Sequence, residues 1–213
     1  MSIEPRQSAV VLVEFQEQWT GRGLYNALIK RQLESRKVLE NTVRLVEEAR
    51  NRGIAVVHAP LVIDPKNKKG AFAHLTRGLV FNKNSWRSRL TDGLHRDGDV
   101  VVTGRYAFDG FTGSDLEKAL RDRGIETLFV CGFTTDQCVA KTLRKALRKG
   151  FDAFLVSDCT ATLNGFLQRR TETAFADRAL DHRRVLALFD HAGPVGGSVP
   201  VSRAAVECPA PAG

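Results

Sequence analysis

Six short runs of uninterrupted apolar residues, separated by stretches of helical periodicity, restrict what this chain can fold into more than any other feature. They are "SAVVLV" (8–13), "IAVVH" (54–58), "DVVVTG" (99–104), "TLFVCG" (127–132), "DAFLVS" (152–157) and "RVLALF" (184–189). A strand that is apolar throughout, rather than at alternate positions, is buried on both faces, and such strands belong to parallel sheets covered by helices on either side. The intervening patterns supply those helices. Residues 34–52 place Val38, Leu45, Val46 and Ala49 on one side and stop at Gly53. Residues 114–124 carry Ser114 and Glu117 in capping-box spacing. A third helix follows "TTDQC", and a fourth is expected over 169–181.

The fold class that follows is α/β: a three-layer α/β/α, Rossmann-like, doubly wound sheet of six mostly parallel strands. The 213 residues suit one domain, over 1–192, with a Pro-, Gly- and Ala-containing tail at 193–213 expected to be poorly ordered. Residues 59–98 are too long for a plain connection and read as a lid or an oligomer contact. No apolar run approaches the ~20 residues of a membrane span. "MSIEPRQS" lacks the charged-then-apolar layout of a secretory signal, so the expected location is cytoplasmic. Cys131, Cys138, Cys159 and Cys208 sit in no metal-type spacing and are expected to be reduced; Cys131 and Cys159 read as packing residues.

A net charge of +8 raises the question of nucleic acid. The densest basic run, "AKTLRKALRK", puts Lys141, Arg144, Lys145, Arg148 and Lys149 on a single helical stripe, with Val139, Leu143 and Leu147 turned inward. Such a stripe is either a solvated helix face or a docking surface for an anionic partner, and no nucleic-acid motif accompanies it.

A doubly wound sheet binds ligands at the carboxyl ends of its strands. Glu14 and Gln16 follow the first strand, His58 closes the second, Arg105 follows the third, "GFTTDQC" the fourth and Asp158 the fifth. Glu14 is either a strand end reaching water or half of a catalytic pair. Cys138 falls in the first turn of a helix, after two hydroxyl residues suited to N-capping, Thr134 and Thr135. There the free N–H groups and the helix dipole favour a thiolate and offer an oxyanion hole. Taken alone, a cysteine after a strand also reads as a small buried hydrophobe.

"VEFQ", "RYAFDGFTGSDL" and "VCGFTTDQCVAKTLRKAL…GFDAFLVSDCTAT", in this order, resemble the isochorismatase-like cysteine hydrolases, the superfamily of nicotinamidases, N-carbamoylsarcosine amidases and isochorismatases. The resemblance covers about residues 8–163, and its specific element is Gly132-x-x-Thr135-x-x-Cys138-Val139. It implies a catalytic triad of a carboxylate after strand one, a cation after strand three and the cysteine. It also implies a non-proline cis peptide, here Phe133–Thr134, and an oxyanion hole from the N–H groups of Thr134 and Cys138. Carried over, Cys138 matches the nucleophile, Glu14 stands where the family has aspartate, and Arg105 stands where it has lysine. The signs are kept and both charged members are replaced. A longer acid beside a broader cation compensates in principle, because arginine offers a carboxylate two parallel donors where lysine offers one compact charge.

The implied activity is cysteine-dependent hydrolysis of a small amide, carbamoyl or related C–N bond, with no cofactor. The alternatives are an isochorismate-type vinyl ether hydrolase, or a catalytically silent homologue in which Glu14 and Arg105 form a structural pair. Phe15, Gln16, Trp19, Tyr106, Phe111, Phe133 and Trp86 are candidate pocket residues, although aromatics at such positions are as often plain core. His58 reads as a hydrogen-bonded structural residue. A metal at His58, Asp64 and His74 resembles the nicotinamidase site only loosely, and the reading is no metal. Asp158 either caps locally or touches substrate. The partner is a small-molecule substrate, with no specific nucleic acid and no membrane, and the resemblance implies a homo-oligomer, dimer or tetramer.

Overall fold

The computed structural model describes residues 3–66, 69–70, 74 and 81–191. The expected tail at 193–213 and part of the 59–98 segment lie outside them. Six strands, β1 (Ser8–Val13), β2 (Ala55–Ala59), β3 (Val100–Val101), β4 (Thr127–Phe133), β5 (Asp152–Ala161) and β6 (Ala179–Leu180), form one sheet in the order β3-β2-β1-β4-β5-β6. Every pairing is parallel. The described helices are α1 (Glu17–Thr20), α2 (Leu24–Ser35), α3 (Val38–Asn51), α4 (Leu116–Arg121), α5 (Ala140–Arg148), α6 (Gly165–Ala174) and α7 (His182–His191).

All six residues of β1 are buried, and they divide by strand alternation. Val10 and Leu12 join a core with Ile29 and Leu33 of α2, Leu45 and Ala49 of α3, and Val185 and Phe189 of α7. Ala9, Val11 and Val13 join the opposite core with Leu116 and Leu120 of α4 and Leu143 and Ala146 of α5. Helices therefore cover both faces, as expected. Gly53 ends α3 with φ +70°, its N–H bonded back to the Arg50 carbonyl.

Three expectations are corrected. Residues 184–189 are helical, within α7: Val185 and Phe189 are buried four residues apart, a helical spacing that a short apolar run does not distinguish from a strand. The sixth strand is instead the dipeptide Ala179–Leu180, paired with Leu155 and Val156, so the helix expected over 169–181 ends at Ala174. The Ser114–Glu117 capping box does not form. Asp115 occupies the N-cap and binds the N–H and hydroxyl of Thr103, each at 2.8 Å, while Glu117 pairs with Lys149 at 2.5 Å.

The strand order reverses direction between β1 and β4, and a doubly wound sheet opens its ligand crevice at such a switch point. The two strands run so close there that a Cβ on Gly132 would lie 1.9 Å from the Val13 carbonyl oxygen. Only glycine fits, and its φ of +126° is one that side chains rarely adopt. The exits of β1 and β4 are thereby pressed together, and each carries a residue singled out from the sequence.

Candidate active site

Glu14 leaves β1 in a left-handed conformation, φ +58°, which costs a non-glycine residue about 1–3 kcal/mol. Two backbone bonds fix the turn: Glu14 N–H to the Ala59 carbonyl at 3.3 Å, and Gln16 N–H to the Glu14 carbonyl at 2.7 Å. The carboxylate is 1% exposed. Arg105 Nη2 donates to its Oε1 at 2.6 Å, and the Trp19 indole N–H donates to its Oε2 at 3.0 Å.

Arg105, 2% exposed, is held by more than this pair. Its Nη1 donates to the Ala59 carbonyl at 2.8 Å, its Nη2 to Phe108 at 2.6 Å, and its Nε to Ala107 at 3.0 Å and Asp109 at 3.2 Å. Three of those carbonyls belong to the loop that follows Arg105 itself. That loop is tied by Asp109, which accepts from the N–H groups of Phe111 (3.0 Å) and Thr112 (2.8 Å) and pairs with Lys145 of α5 at 3.2 Å. Burial pushes the Asp109 carboxyl up, and the bonds from Thr112 and Lys145 outweigh it and hold the group below the usual range. A buried cation that donates to carbonyls as well as a carboxylate is compensated without relying on the ion pair alone.

Cys138 sits in a π-helical turn, Thr135–Val139, that enters α5, and its thiol is near enough to Glu14 and Arg105 for both charges to act on it. The turn is anchored twice. The Thr135 hydroxyl donates to Gln168 Oε1 of α6 at 2.8 Å. The Thr142 hydroxyl donates to the Cys138 carbonyl at 2.7 Å and accepts the Gly110 N–H at 2.8 Å, joining the turn to the Arg105 loop. The Phe133–Thr134 peptide is cis, as the resemblance implied.

The expected lowering of the thiol pKa is overturned. Burial pushes the Cys138 thiol well above its usual range, the charge of Glu14 adds to this, and Arg105 only partly offsets them. At rest the group is a thiol with the Glu14 side chain beside it. Thr134 and Thr135 do not cap the turn with their hydroxyls.

Among the candidate pocket residues, Phe15 and Phe133 are buried in the α3-side core with ring centroids 4.8 Å apart, and Phe111 packs on Phe151 in the opposite core at 5.9 Å. Gln16 is fully buried, and its amide donates to the carbonyls of Leu61 (3.1 Å) and Ser88 (2.8 Å) and accepts the Leu61 N–H at 3.0 Å. These groups tie the described part of the 59–98 segment to the exit of β1 instead of facing an open site. Tyr106 lines a cavity of 180 Å³ with Arg105, Gly104, Val62, Ile63, Asp64 and Lys69. Trp86 is exposed, with Arg87 over its ring. The role of Trp19, five residues beyond Glu14 and stacked on Phe133 at 6.1 Å, was not legible from spacing.

His58 and Asp158 both have local partners. His58 Nε2 lies 3.0 Å from Asp99, which Arg50 also binds at 2.7 Å. Burial lowers the His58 pKa against the opposing pull of Asp99. Asp158 accepts the His182 N–H at 2.7 Å and lies 2.5 Å from its Nδ1. Among the described residues no cluster of metal-ligating side chains is found, and Asp64 is paired with Lys83 at 2.7 Å.

A family model of the isochorismatase domain matches residues 8–181, most of the chain, so the chain belongs to the isochorismatase family. Among individual relatives, it is similar to ureidoacrylate amidohydrolase RutB of Azorhizobium caulinodans, 27% identical over 179 residues that cover 75% of this chain and 78% of that protein. It is also similar to the uncharacterized isochorismatase family protein YrdC of Bacillus subtilis, 28% identical over 158 residues, covering 71% and 73%. Among solved structures, a cysteine hydrolase from Pseudomonas syringae pv. phaseolicola superposes with a TM-score of 0.79 at 21% identity, covering 91% of this chain and 97% of that one. N-carbamoylsarcosine amidase from Thermoplasma acidophilum superposes with a TM-score of 0.69 at 21% identity, covering 83% and 96%. These two share the fold.

Proposed function

We propose that this chain hydrolyses a small amide, carbamoyl or related C–N bond through a covalent acyl-enzyme, with Cys138 as nucleophile, Glu14 as general base and acid, and Arg105 as their electrostatic partner. The observation that carries the reading is the buried Glu14–Arg105 pair at 2.6 Å, set against the Cys138 thiol. The names of the relatives, a ureidoacrylate amidohydrolase and an N-carbamoylsarcosine amidase, support the C–N bond class.

Glu14 takes the thiol proton as Sγ attacks the carbonyl carbon, and the oxyanion that forms is met by the N–H groups of Thr134 and Cys138. Glutamic acid then returns the proton to the leaving nitrogen as the C–N bond breaks, leaving a thioester. A water, deprotonated by Glu14, attacks the thioester and releases the acid and the free thiol. Arg105 keeps the pocket's charge balanced while the negative charge moves between Glu14, sulfur and the oxyanion. The raised thiol pKa fits a proton transfer coupled to substrate binding rather than a standing thiolate.

A panel of small amides and carbamoyl compounds, with Cys138→Ala as control, tests this. Ammonia or amine release by the wild type, at least about 10³-fold faster than by the variant, is expected for a nucleophile that is removed outright. Acid quenching during turnover should trap a mass increment on Cys138. Turnover that survives in Cys138→Ala would sink the mechanism.

A further inference from the structure

We infer that Thr142 and the Asp109–Gly110 peptide form a positioning relay between Arg105 and Cys138, which holds the main chain of the nucleophile in register with the guanidinium. The effect on turnover rests on the functional reading above; the bonds themselves do not.

Three hydrogen bonds run from one residue to the other, all donating in the same sense. Arg105 Nε donates to the Asp109 carbonyl at 3.2 Å. At the other side of that same peptide, the Gly110 N–H donates to Thr142 Oγ1 at 2.8 Å. The Thr142 hydroxyl then donates to the Cys138 carbonyl at 2.7 Å. A peptide unit is planar and stiff, so a displacement of its carbonyl is passed to its N–H. Bonds aligned in this way polarise one another, and a cation at the donor end strengthens the first of them.

A threonine inside a helix commonly bonds the carbonyl four residues back, and that bond alone would say only that α5 begins here. The second bond is what sets Thr142 apart, because it comes from a loop 32 residues away in the chain. Thr142 is fully buried, so its one hydroxyl proton and its acceptor lone pair are each committed to a protein partner. The loop lies tight against the helix: a Cβ on Gly110 would stand 3.2 Å from Leu116 Cδ2 and 3.3 Å from Thr142 Cγ2. Ser114 holds the Gly110 carbonyl at 2.5 Å, and Lys145, three residues further along α5, holds the Asp109 carboxylate at 3.2 Å. The loop therefore keeps other anchors when the Thr142 hydroxyl is removed.

The relay depends on the cation being arginine. Arg105 reaches Glu14 with Nη2 at 2.6 Å and the Asp109 carbonyl with Nε, two separate donors of one rigid plane. A lysine ends in one compact ammonium and has no donor at the Nε position. The arginine of this chain thus gains a connection to the nucleophile turn that a lysine would lack.

The test measures kcat and KM for the amide or carbamoyl compound that the full-length wild type turns over fastest, with Thr142→Val, Thr142→Ser, Arg105→Lys and the double variant Arg105→Lys/Thr142→Val beside it. Valine keeps the shape and loses both bonds; serine keeps both bonds and loses a methyl. The expected result for Thr142→Val is a kcat lowered roughly 10-fold to 100-fold with KM within about twofold, as a small displacement of reacting groups produces. Thr142→Ser should stay within about threefold of wild type, and in the Arg105→Lys background valine should cost less than about threefold, because the relay is already broken at its first bond. Equal losses in serine and valine, a KM effect alone, or the same factor in both backgrounds overturns the inference. Should thermal melting show that Thr142→Val does not fold, Gly110→Ala takes its place in the cycle, since the added methyl pushes the loop off an intact hydroxyl, and the same non-additivity is expected. Should wild type release no ammonia or amine from any compound of the panel, the functional reading fails separately, and hydrogen exchange judges the relay. Exchange that quickens together in residues 106–113 and 135–139 of Thr142→Val, and not of Thr142→Ser, supports it. Quickening on one side alone, or on neither, overturns it.

Discussion

Glu14–Arg105 and His58–Asp99–Arg50 are both buried ionic groups packed on the sheet, the first at the exit of β1 and the second between the start of β3 and the last turn of α3, and they differ in what they face. Asp99 accepts from Arg50 Nε at 3.1 Å and Nη2 at 2.7 Å, from the Arg96 N–H at 3.0 Å, and lies 3.0 Å from His58, closing the loop before β3 onto α3. Glu14 also has donors at both oxygens, but it stands on a left-handed residue and a thiol lies beside it. Both carboxylates therefore have donors at each oxygen, whereas the buried His58 Nδ1 has no partner among the described residues. What separates them is a neighbouring thiol and a backbone conformation that costs free energy. Under the proposed function the first cluster organises chemistry; the second holds a loop.

Removing Arg105 should break this contrast most sharply. Arg105→Ala removes the cation from a buried carboxylate and a donor from each of four carbonyls, so a loss of about 3–5 kcal/mol in urea unfolding is expected together with loss of turnover. Arg105→Lys keeps the charge but cannot serve the carbonyls of Ala59, Ala107, Phe108 and Asp109 at once, so it should recover only part of both. A midpoint in Arg105→Ala equal to wild type would show that the pair carries neither stability nor positioning.

Asp99→Asn should cost about 2–3 kcal/mol, the worth of hydrogen bonds to a charged group, and leave kcat/KM within about twofold, since none of its bonds reaches Glu14, Arg105 or Cys138. A large loss of activity at normal stability would merge the two clusters into one site. The same cluster sets a pH dependence. The folded pKa of His58 is lowered, so below about pH 6.5 the unfolded chain takes up a proton that the folded one refuses, and stability declines as pH falls. Asp99 opposes this shift, while His95 and Arg50 add to it. The Asp99 carboxyl is itself held low by Arg50, Arg96 and His58 against its burial, so its contribution is lost only at more acid pH, below about 3.9. His58→Gln should flatten the fall in melting temperature between pH 7 and pH 5.

The charged positions of the site were legible because strand ends in a doubly wound sheet are few, and sequence order alone placed Glu14, Arg105 and Cys138 on three of them. The helix α2 was missed because Ile29 and Leu33 are its only buried residues, too few to raise a periodic signal above its Lys, Arg and Gln. β6 is two residues long and exists only because β5 is there to pair with it. The state of the thiol was misread for a related reason: a helix start was visible in the sequence, whereas the burial of Cys138 and the approach of Glu14 arise from the close passage of β4 past Val13 at Gly132.

Trp19→Phe sharpens the catalytic half of the contrast without opening the core, because phenylalanine retains the stacking on Phe133 and removes only the indole N–H. Losing that donor frees one carboxylate oxygen to turn away from the thiol, so kcat/KM should fall roughly tenfold while the melting temperature stays near that of wild type. A fall in melting temperature with kcat/KM unchanged would assign Trp19 to packing alone.

The smallest effect is expected at the basic stripe of α5, which resembles neither cluster. Lys149 pairs with Glu117 and Lys145 with Asp109, Lys141 lies over the Phe108 ring at 4.2 Å, and Arg144 over Phe175 at 5.1 Å. Cations already held over rings and beside carboxylates present less free charge than their number suggests, and a phosphate backbone would have to displace those partners. Lys141→Gln/Arg144→Gln should shift stability by no more than about 0.5 kcal/mol, the range of ordinary surface changes. Neither wild type nor variant should be retained on a DNA column at low salt. Retention of wild type that fell steeply with salt and vanished in the variant would instead make α5 an anionic docking face, since counterion release gives such contacts their salt dependence.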